Sequence, residues 1–340
     1  MVMEDKIIFI CVTDFCNLNC LHCFNRTNPQ KKILKIEDIQ RLIIEAKLCG
    51  LFTIYLTGGE PFTHPDMEGI ITLIQRNQDV DFVINTNGTI DISSYCISEL
   101  KKCRNLTLQI SYDGMKTENF DKIRGEGVKE KVDRTISLLK AHCIKYALKM
   151  TISELNKNDV VEYLSYLEVN KIEGSVAFCS PFGNSSINSK ILELKLQDRF
   201  NLYKSIRQFY QERGIAKKAP TSVLSCKLMS DDSLSTCVIT GSGELYLCDR
   251  WKDSLLGNIH DASLKELLNP EKIEDLKKTI QKRAELIKQT HCNDCILVGV
   301  CSQGCPALSE ARDGSIFSLD GECSFRKQLF LYDRMLKGYI

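Results

Sequence analysis

The sequence carries almost no net charge: 45 lysines and arginines face 44 aspartates and glutamates, for a formal +1. Basic residues are spread along the chain rather than blocked, so the electrostatic footprint of a nucleic-acid or anionic-membrane binder is missing. No apolar run approaches membrane-spanning length, and the opening Met1-Val2-Met3-Glu4-Asp5 carries acid where a signal peptide carries base. Internal repeats and low-complexity tracts are absent as well. Tryptophan occurs once, and Trp251, like Tyr246, reads as packing for a small domain rather than as a substrate platform. These absences leave an ordinary cytoplasmic globular chain of 340 residues, 43% apolar and 26% charged, long enough for one large domain and a smaller one.

Cysteine is the exception, with 17 copies. In a reducing compartment so many thiols do not point to disulfides, and a chain of this length needs no stapling. Cys11, Cys49, Cys96, Cys103, Cys143 and Cys179 are scattered among apolar neighbours and read as small buried hydrophobes. The rest gather over 16–23 and 226–323, and clustering of that kind points to metal. Cys16, Cys20 and Cys23 directly follow the apolar run Ile7-Ile8-Phe9-Ile10, so a loop leaving a buried strand can curl its sulfurs toward one point. Three thiolates suit a four-iron cluster with one iron open to a non-protein ligand. A zinc site needs a fourth ligand, for which His22 and Asp14 are the local candidates.

From residue 6 to about 180, strand-like and helix-like segments alternate. Strands are predicted over 6–12, 52–57, 81–86, 105–111, 146–152 and 172–179, each short and rich in β-branched and aromatic residues. Amphipathic segments lie between them at 36–48, 66–78, 94–103, 128–143 and 158–170, with Asp66 and Asn158 placed as N-caps and Gly50 as a C-cap. Such repetition implies a parallel sheet with helical crossovers, as an open sheet or an incomplete barrel. A helix is predicted over 193–213, after a Gly/Asn/Ser loop at 183–189, and a linker over 214–225. Beyond it come a hairpin around Thr240-Gly241-Ser242-Gly243 with 244–248 as return strand, one or two helices in 263–289, and cysteine-bearing loops from His291.

Three strand ends carry polar signals. Thr57-Gly58-Gly59-Glu60-Pro61 combines paired glycines, which let backbone approach a ligand, with a carboxylate that can hold an ammonium group; it also fits a plain strand-to-helix turn. Asn85-Thr86-Asn87-Gly88 is a turn signal in its own right. Ser111-Tyr112-Asp113-Gly114 puts a hydroxyl at a strand end, with Asp113-Gly114 read as the turn, and Arg124-Gly125 follows on a glycine-bounded loop suited to pairing a carboxylate.

The Cys16-x3-Cys20-x2-Cys23 spacing, with His22 in the aromatic-type position before the last cysteine, resembles the cluster loop of the radical S-adenosylmethionine (SAM) enzymes. That resemblance implies a SAM-binding role for Gly58, Gly59, Glu60, Asn87, Ser111 and Arg124. The C-terminal run Cys292-x2-Cys295-x5-Cys301-x3-Cys305, with Cys323, and upstream Cys226 and Gly243-x4-Cys248, resembles the SPASM extension. By that family's ligand partition, Cys292, Cys295, Cys301 and Cys323 hold a distal auxiliary cluster, and Cys226, Cys248 and Cys305 a nearer one. The Cys226–Gly243 gap is slightly longer than the usual pattern. Cys237 reads narrowly as a fourth ligand of the nearer cluster, against a thiol hydrogen donor or a core residue. Asp249 matches an aspartate that acts as base in sulfatase-maturing members, against the plain reading of a solvated carboxylate. Two CxxC-like pairs alone would also fit a zinc ribbon. His22 and His291 read as supporting or surface residues.

The resemblance implies an α/β fold: a partial (β/α)6 TIM-like barrel over 1–213, a linker, and a cysteine-rich iron–sulfur domain over 226–340. It implies three 4Fe–4S clusters and SAM as cofactors, and a reductant such as flavodoxin or ferredoxin as partner. The expected activity is abstraction of hydrogen from a ribosomally made peptide or protein, for a thioether or carbon–carbon crosslink, an epimerisation or an oxidation. Strand one begins near residue 6, so leader-peptide recognition is expected from a separate protein or by direct docking. A dehydrogenase or epimerase acting on a small molecule such as an aminoglycoside is the alternative. A non-catalytic electron carrier is the third reading, and the Gly-Gly-Glu and Ser/Arg features oppose it.

Overall fold

A computed structural model describes residues 6–24, 32–92, 95–215, 226, 228 and 236–336, so the expected linker lies outside the described residues from 216 on. Six parallel strands come first: β1 (Ile7–Thr13), β2 (Thr53–Gly58), β3 (Asp81–Thr86), β4 (Leu106–Ser111), β5 (Tyr146–Ile152) and β6 (Glu173–Phe178). They pair in the order β6-β5-β4-β3-β2-β1, with a helix in every crossover. The α/β expectation therefore holds. β7 (Thr236–Ile239) then pairs parallel to β1, and β8 (Glu244–Tyr246) and β9 (Leu255–Asn258) continue the sheet antiparallel. The nine strands end at β6 and β9 without closing, as a partial barrel does.

Register explains why these segments belong together. Ile8 and Ile10 of β1 stand opposite Ile54 and Leu56, which stand opposite Phe82 and Ile84, then Leu106 and Leu108. All are buried, so one apolar layer runs across the sheet beneath helices such as Ile36–Leu48, whose Ile39, Leu42, Ile43 and Ala46 are buried in turn. Each such side chain contributes about 1.5–3 kcal/mol relative to exposure. Gly50, at φ +73°, stops that helix as expected, and Asp66 caps Met67–Arg76 by accepting from the Gly69 N–H at 3.0 Å.

Other boundaries differ from the sequence reading. Asn158 sits in a 3-10 turn, Lys157–Asp159, and Asp159 takes the N-cap position of Val160–Val169. Arg124 is not on a loop but ends the helix Thr117–Arg124, whose entry Asp159 fixes by accepting from the Met115 and Lys116 N–H groups at 2.9 and 3.2 Å. The loop at 183–189 contains the single-turn helix Asn184–Ile187. The cysteine-bearing tail is not all loop: it holds the helices Pro306–Asp313 and Cys323–Leu336.

The chain forms two compact units that do not follow its order. The first takes its residues from Met1–Leu192, Leu234–Asp249 and Leu255–Asn269; the second from Glu193–Ser233, Arg250–Ser254 and Pro270–Ile340. Within the second, Leu196–Glu212 packs on Cys323–Leu336: Arg199 makes a bidentate pair with Glu322 at 2.9 and 2.6 Å and lies 4.1 Å over the Phe325 ring. Among the described residues no helix is long and apolar enough to cross a membrane.

Candidate active site and cysteine clusters

The Cys16–Cys23 loop leaves β1 at the carboxyl end of the parallel strands. Its backbone is held from several sides: Leu21 N–H donates to Ile123 O at 2.9 Å, Asn184 Nδ2 to Cys20 O at 2.9 Å, and Asn188 Nδ2 to Leu21 O at 3.0 Å. Donors also face the sulfurs. Leu18 N and Asn87 Nδ2 reach Cys16 Sγ at 3.5 and 3.8 Å, and Arg124 Nη1 reaches Cys20 Sγ at 3.8 Å. Burial pushes the Cys20 thiol up to about 11 against the pull of Arg124, and the neighbouring Cys23 and Cys16 add to it. Three thiols on one loop, held by backbone clamps and with N–H donors facing Cys16 and Cys20, fit an iron–sulfur cluster whose binding releases their protons.

Gly58 and Gly59 are required by the loop itself. A Cβ on Gly58, at φ +136°, would fall 2.1 Å from Thr13 O, and one on Gly59 would fall 2.0 Å from Phe15 O. The glycines thus let the end of β2 lie against the start of the cysteine loop, where Gly59 N–H donates to Thr13 O at 2.7 Å. Glu60 follows, fully buried. Its carboxylate accepts from Thr86 Oγ1 at 2.7 Å, Asn87 N–H at 2.6 Å and Phe62 N–H at 3.2 Å. Burial raises its pKa despite these donors. Asn87 turns to the loop as well, donating to Asn17 Oδ1 at 2.8 Å. Ser111 ends β4 in register with Lys149.

Asp113, which the sequence offers as a turn residue, is the hub of this end of the sheet. Its Oδ2 pairs with His22 Nε2 at 2.7 Å and with Arg124 Nε and Nη2 at 2.7 and 2.6 Å. Its Oδ1 accepts from Thr151 N–H at 2.6 Å, and Asn156 Nδ2 donates to its carbonyl at 2.8 Å. Although burial opposes it, Arg124 and His22 hold the carboxyl far below the usual carboxylate range. Arg124 is correspondingly turned to Asp113 and Cys20. His22 is a buried partner of Asp113 rather than a surface residue, and its Nδ1 is buried with no hydrogen-bond partner among the described residues. A carboxylate at a strand's carboxyl end, between a histidine in the cysteine loop and a later arginine, was the signal available.

Cys237 is not brought to a metal site. It stands opposite Ile8 in the helix-covered apolar layer, 1% exposed and near Cys49, and burial drives its thiol up to about 12. The expected ligand is a core residue because strand alternation points it away from the open face. Cys248 is half-buried after β8, and Asp249 is exposed beside it. Cys179 directly follows β6, half-buried, with its Sγ 2.9 Å from Ser185 Oγ.

In the second unit Cys292, Cys295, Cys301 and Cys323 line one small pocket, with Arg326 and Lys327 at its wall. Four thiols around one space with two cations beside them fit a second iron–sulfur cluster. Cys226 and Cys305 lie apart from that cavity, both within electrostatic reach of Arg283, and Cys226 N–H donates to Ser302 Oγ at 2.7 Å. Arg283 organises these loops. Its fully buried guanidinium donates to Gln303 O at 3.1 Å, Ser309 Oγ at 2.9 Å, Ser318 O at 3.2 Å and, more closely, Ile316 O. His291 ends the helix that carries Arg283 and is exposed.

Comparison with known proteins agrees with this geometry. Residues 10–167 match the radical SAM superfamily, and residues 232–296 match the iron–sulfur cluster-binding SPASM domain. The chain is similar to a GTP 3',8-cyclase of Clostridium perfringens, 25% identical over 81% of this chain and 90% of that one. It is similar to an AdoMet-dependent heme synthase of Methanosarcina barkeri, 23% identical over 93% and 95%. Among solved structures, Streptococcus suis SuiB bound to S-adenosylmethionine aligns with a TM-score of 0.73 at 17% identity, over 94% of this chain and 76% of that one. The anSMEcpe structure with bound AdoMet aligns with a TM-score of 0.71 at 20% identity, over 98% and 99%. Whatever its substrate, the chain carries a radical SAM domain followed by a SPASM domain.

Proposed function

We propose that Cys16, Cys20 and Cys23 hold the cluster that binds SAM, and that the enzyme modifies a peptide or protein. The observation that carries the first part is the joining of the three-thiol loop to the Gly58-Gly59-Glu60 strand end through backbone contact at Thr13 and Phe15. When bound, the cluster supplies an electron that cleaves SAM to methionine and a 5′-deoxyadenosyl radical able to remove hydrogen from an unactivated carbon. The chain's own work is placement. The Gly58 and Gly59 backbone and the Glu60 carboxylate present acceptors for an ammonium group. Ser111 and the Thr86-Asn87-Gly88 strand end offer hydroxyl and amide groups to a nucleoside. Cys292, Cys295, Cys301 and Cys323 hold an auxiliary cluster, and Cys226 and Cys305 offer thiols for another.

A peptide substrate is supported by the fold match to anSMEcpe with bound AdoMet and the Cp18Cys peptide and to SuiB bound to the precursor peptide SuiA. A small-molecule substrate, of which an aminoglycoside is one form, is the second reading. The relatives named for GTP cyclisation and heme synthesis favour that class. Anaerobically reconstituted protein, SAM and a reductant, incubated in parallel with short cysteine- or glycine-rich peptides and with GTP, separate the two. A mass change in the peptide with matching 5′-deoxyadenosine supports the first reading. Stimulation by GTP with no change in the peptide supports the second.

A further inference from the structure

One buried carboxylate serves two groups that both bear on the cysteine loop. Asp113, itself 0% exposed, takes His22 Nε2 at 2.7 Å and both Nε and Nη2 of Arg124 at 2.7 and 2.6 Å. His22 lies between Cys20 and Cys23 in the chain, so its bond to Asp113 anchors the loop from within. Arg124 completes the arrangement from outside, with Nη1 3.8 Å from Cys20 Sγ. The helix that carries Arg124 is fixed at its start by Asp159 and at its end by Ile123 O, which accepts from Leu21 N–H of the loop at 2.9 Å. The guanidinium therefore cannot swing away without breaking several buried hydrogen bonds. Its placement at a sulfur, rather than open to the site, is built into the fold.

Hydrogen bonds to cluster sulfurs and nearby net charge set the reduction potential of iron–sulfur centres. A cation at a ligand sulfur favours the reduced, more negative cluster, and a carboxylate behind that cation tempers it. On the reading that Cys20 is a cluster ligand, we infer that Asp113 and Arg124 form a positioning pair that sets the reduction potential of the SAM-binding cluster, with Arg124 raising it and Asp113 lowering it. The pair acts through Cys20 and the loop, and neither residue is required to touch the substrate.

The test is a stepwise reductive titration, followed by electron paramagnetic resonance without SAM, of the full-length reconstituted protein. The signal to follow is the component absent from a Cys16→Ala/Cys20→Ala/Cys23→Ala variant. Arg124→Gln is expected to shift its midpoint to more negative potential, and Asp113→Asn to less negative potential. Arg124→Lys, which keeps the charge, is expected to stay closer to the native protein than Arg124→Gln. Shifts of the same sign in Arg124→Gln and Asp113→Asn, or equal shifts in the Gln and Lys variants, overturn the inference. Loss of the cluster iron from both Arg124 variants also overturns it, in favour of a purely structural role. If Asp113→Asn alone fails to retain iron, the Gln and Lys comparison decides. If the native protein has no signal that the triple cysteine variant lacks, the cluster reading itself fails. A native signal unmoved by any variant sinks only the inference.

Discussion

Gly59 lies so close to Phe15 that a Cβ would fall 2.0 Å from the phenylalanine carbonyl oxygen. The obstacle is backbone, which cannot rotate aside, so Gly59→Ala must separate the end of β2 from the cysteine loop. Overpacking of this kind costs about 1–3 kcal/mol. The variant is expected to show that loss in denaturant unfolding and to retain less iron than the native chain after desalting. Native stability and iron content in Gly59→Ala would contradict the packing account.

Glu60 is fully buried with three donors on its carboxylate. Glu60→Gln replaces one acceptor oxygen by an amide donor that faces another donor. SAM binding, measured by equilibrium dialysis on reconstituted protein, is expected to weaken tenfold or more, about 1.4 kcal/mol. Burial also raises the folded-state pKa of this carboxyl above its unfolded value. Its contribution to stability is thus fully present below the unfolded pKa and lost as pH rises through the folded one. The stability of Glu60→Gln relative to the native chain should therefore improve with rising pH across that window; a constant difference would contradict it.

Arg283 donates to the carbonyls of Ile316, Gln303 and Ser318 and to Ser309 Oγ from a fully buried position. Arg283→Ala leaves those acceptors without partners, at a cost of about 3 kcal/mol or more. The segments carrying Cys301, Cys305 and Cys323 should loosen together. Iron is expected to fall to about four atoms per chain, with SAM-dependent signals of the remaining cluster preserved. Loss of all iron, or of none, would contradict the separate organisation of the C-terminal cysteines.

Cys237 and Cys292 make a matched pair of tests. Cys237 is sealed in an apolar layer, whereas Cys292 lines the four-thiol cavity. Cys237→Ala should lower stability by about 1 kcal/mol and leave iron content unchanged, while Cys292→Ala should lower iron with little effect on the first unit. Iron loss on replacing Cys237 would restore it as a ligand.

The barrel was legible because its signals are local. Short β-branched runs and amphipathic stretches mark β1–β6 and the crossovers, and caps such as Asp66 act within four residues. What was not legible depends on pairing across long stretches of chain. Nothing near Thr236 announces that β7 will lie parallel to β1, opposite Ile7, and so nothing announced that Cys237 faces helices. Asp113-Gly114 has the form of a turn, and only the folded chain brings His22 and Arg124 to one carboxylate oxygen. The glycines at 58 and 59 were read as making room for a ligand, while the structure spends that room on Thr13 and Phe15. Gly125 gives Arg124 the look of a loop residue, yet Arg124 is the last residue of a helix.

The central claim is that the Cys16–Cys23 loop holds a cluster that delivers an electron to SAM. The direct measurement is release of 5′-deoxyadenosine from SAM by the anaerobic, reconstituted and reduced protein, beside its Cys16→Ala/Cys20→Ala/Cys23→Ala variant. Formation by the native protein and none by the variant is the predicted result. Equal formation by both, or none by the native protein holding its full complement of iron, would contradict the account.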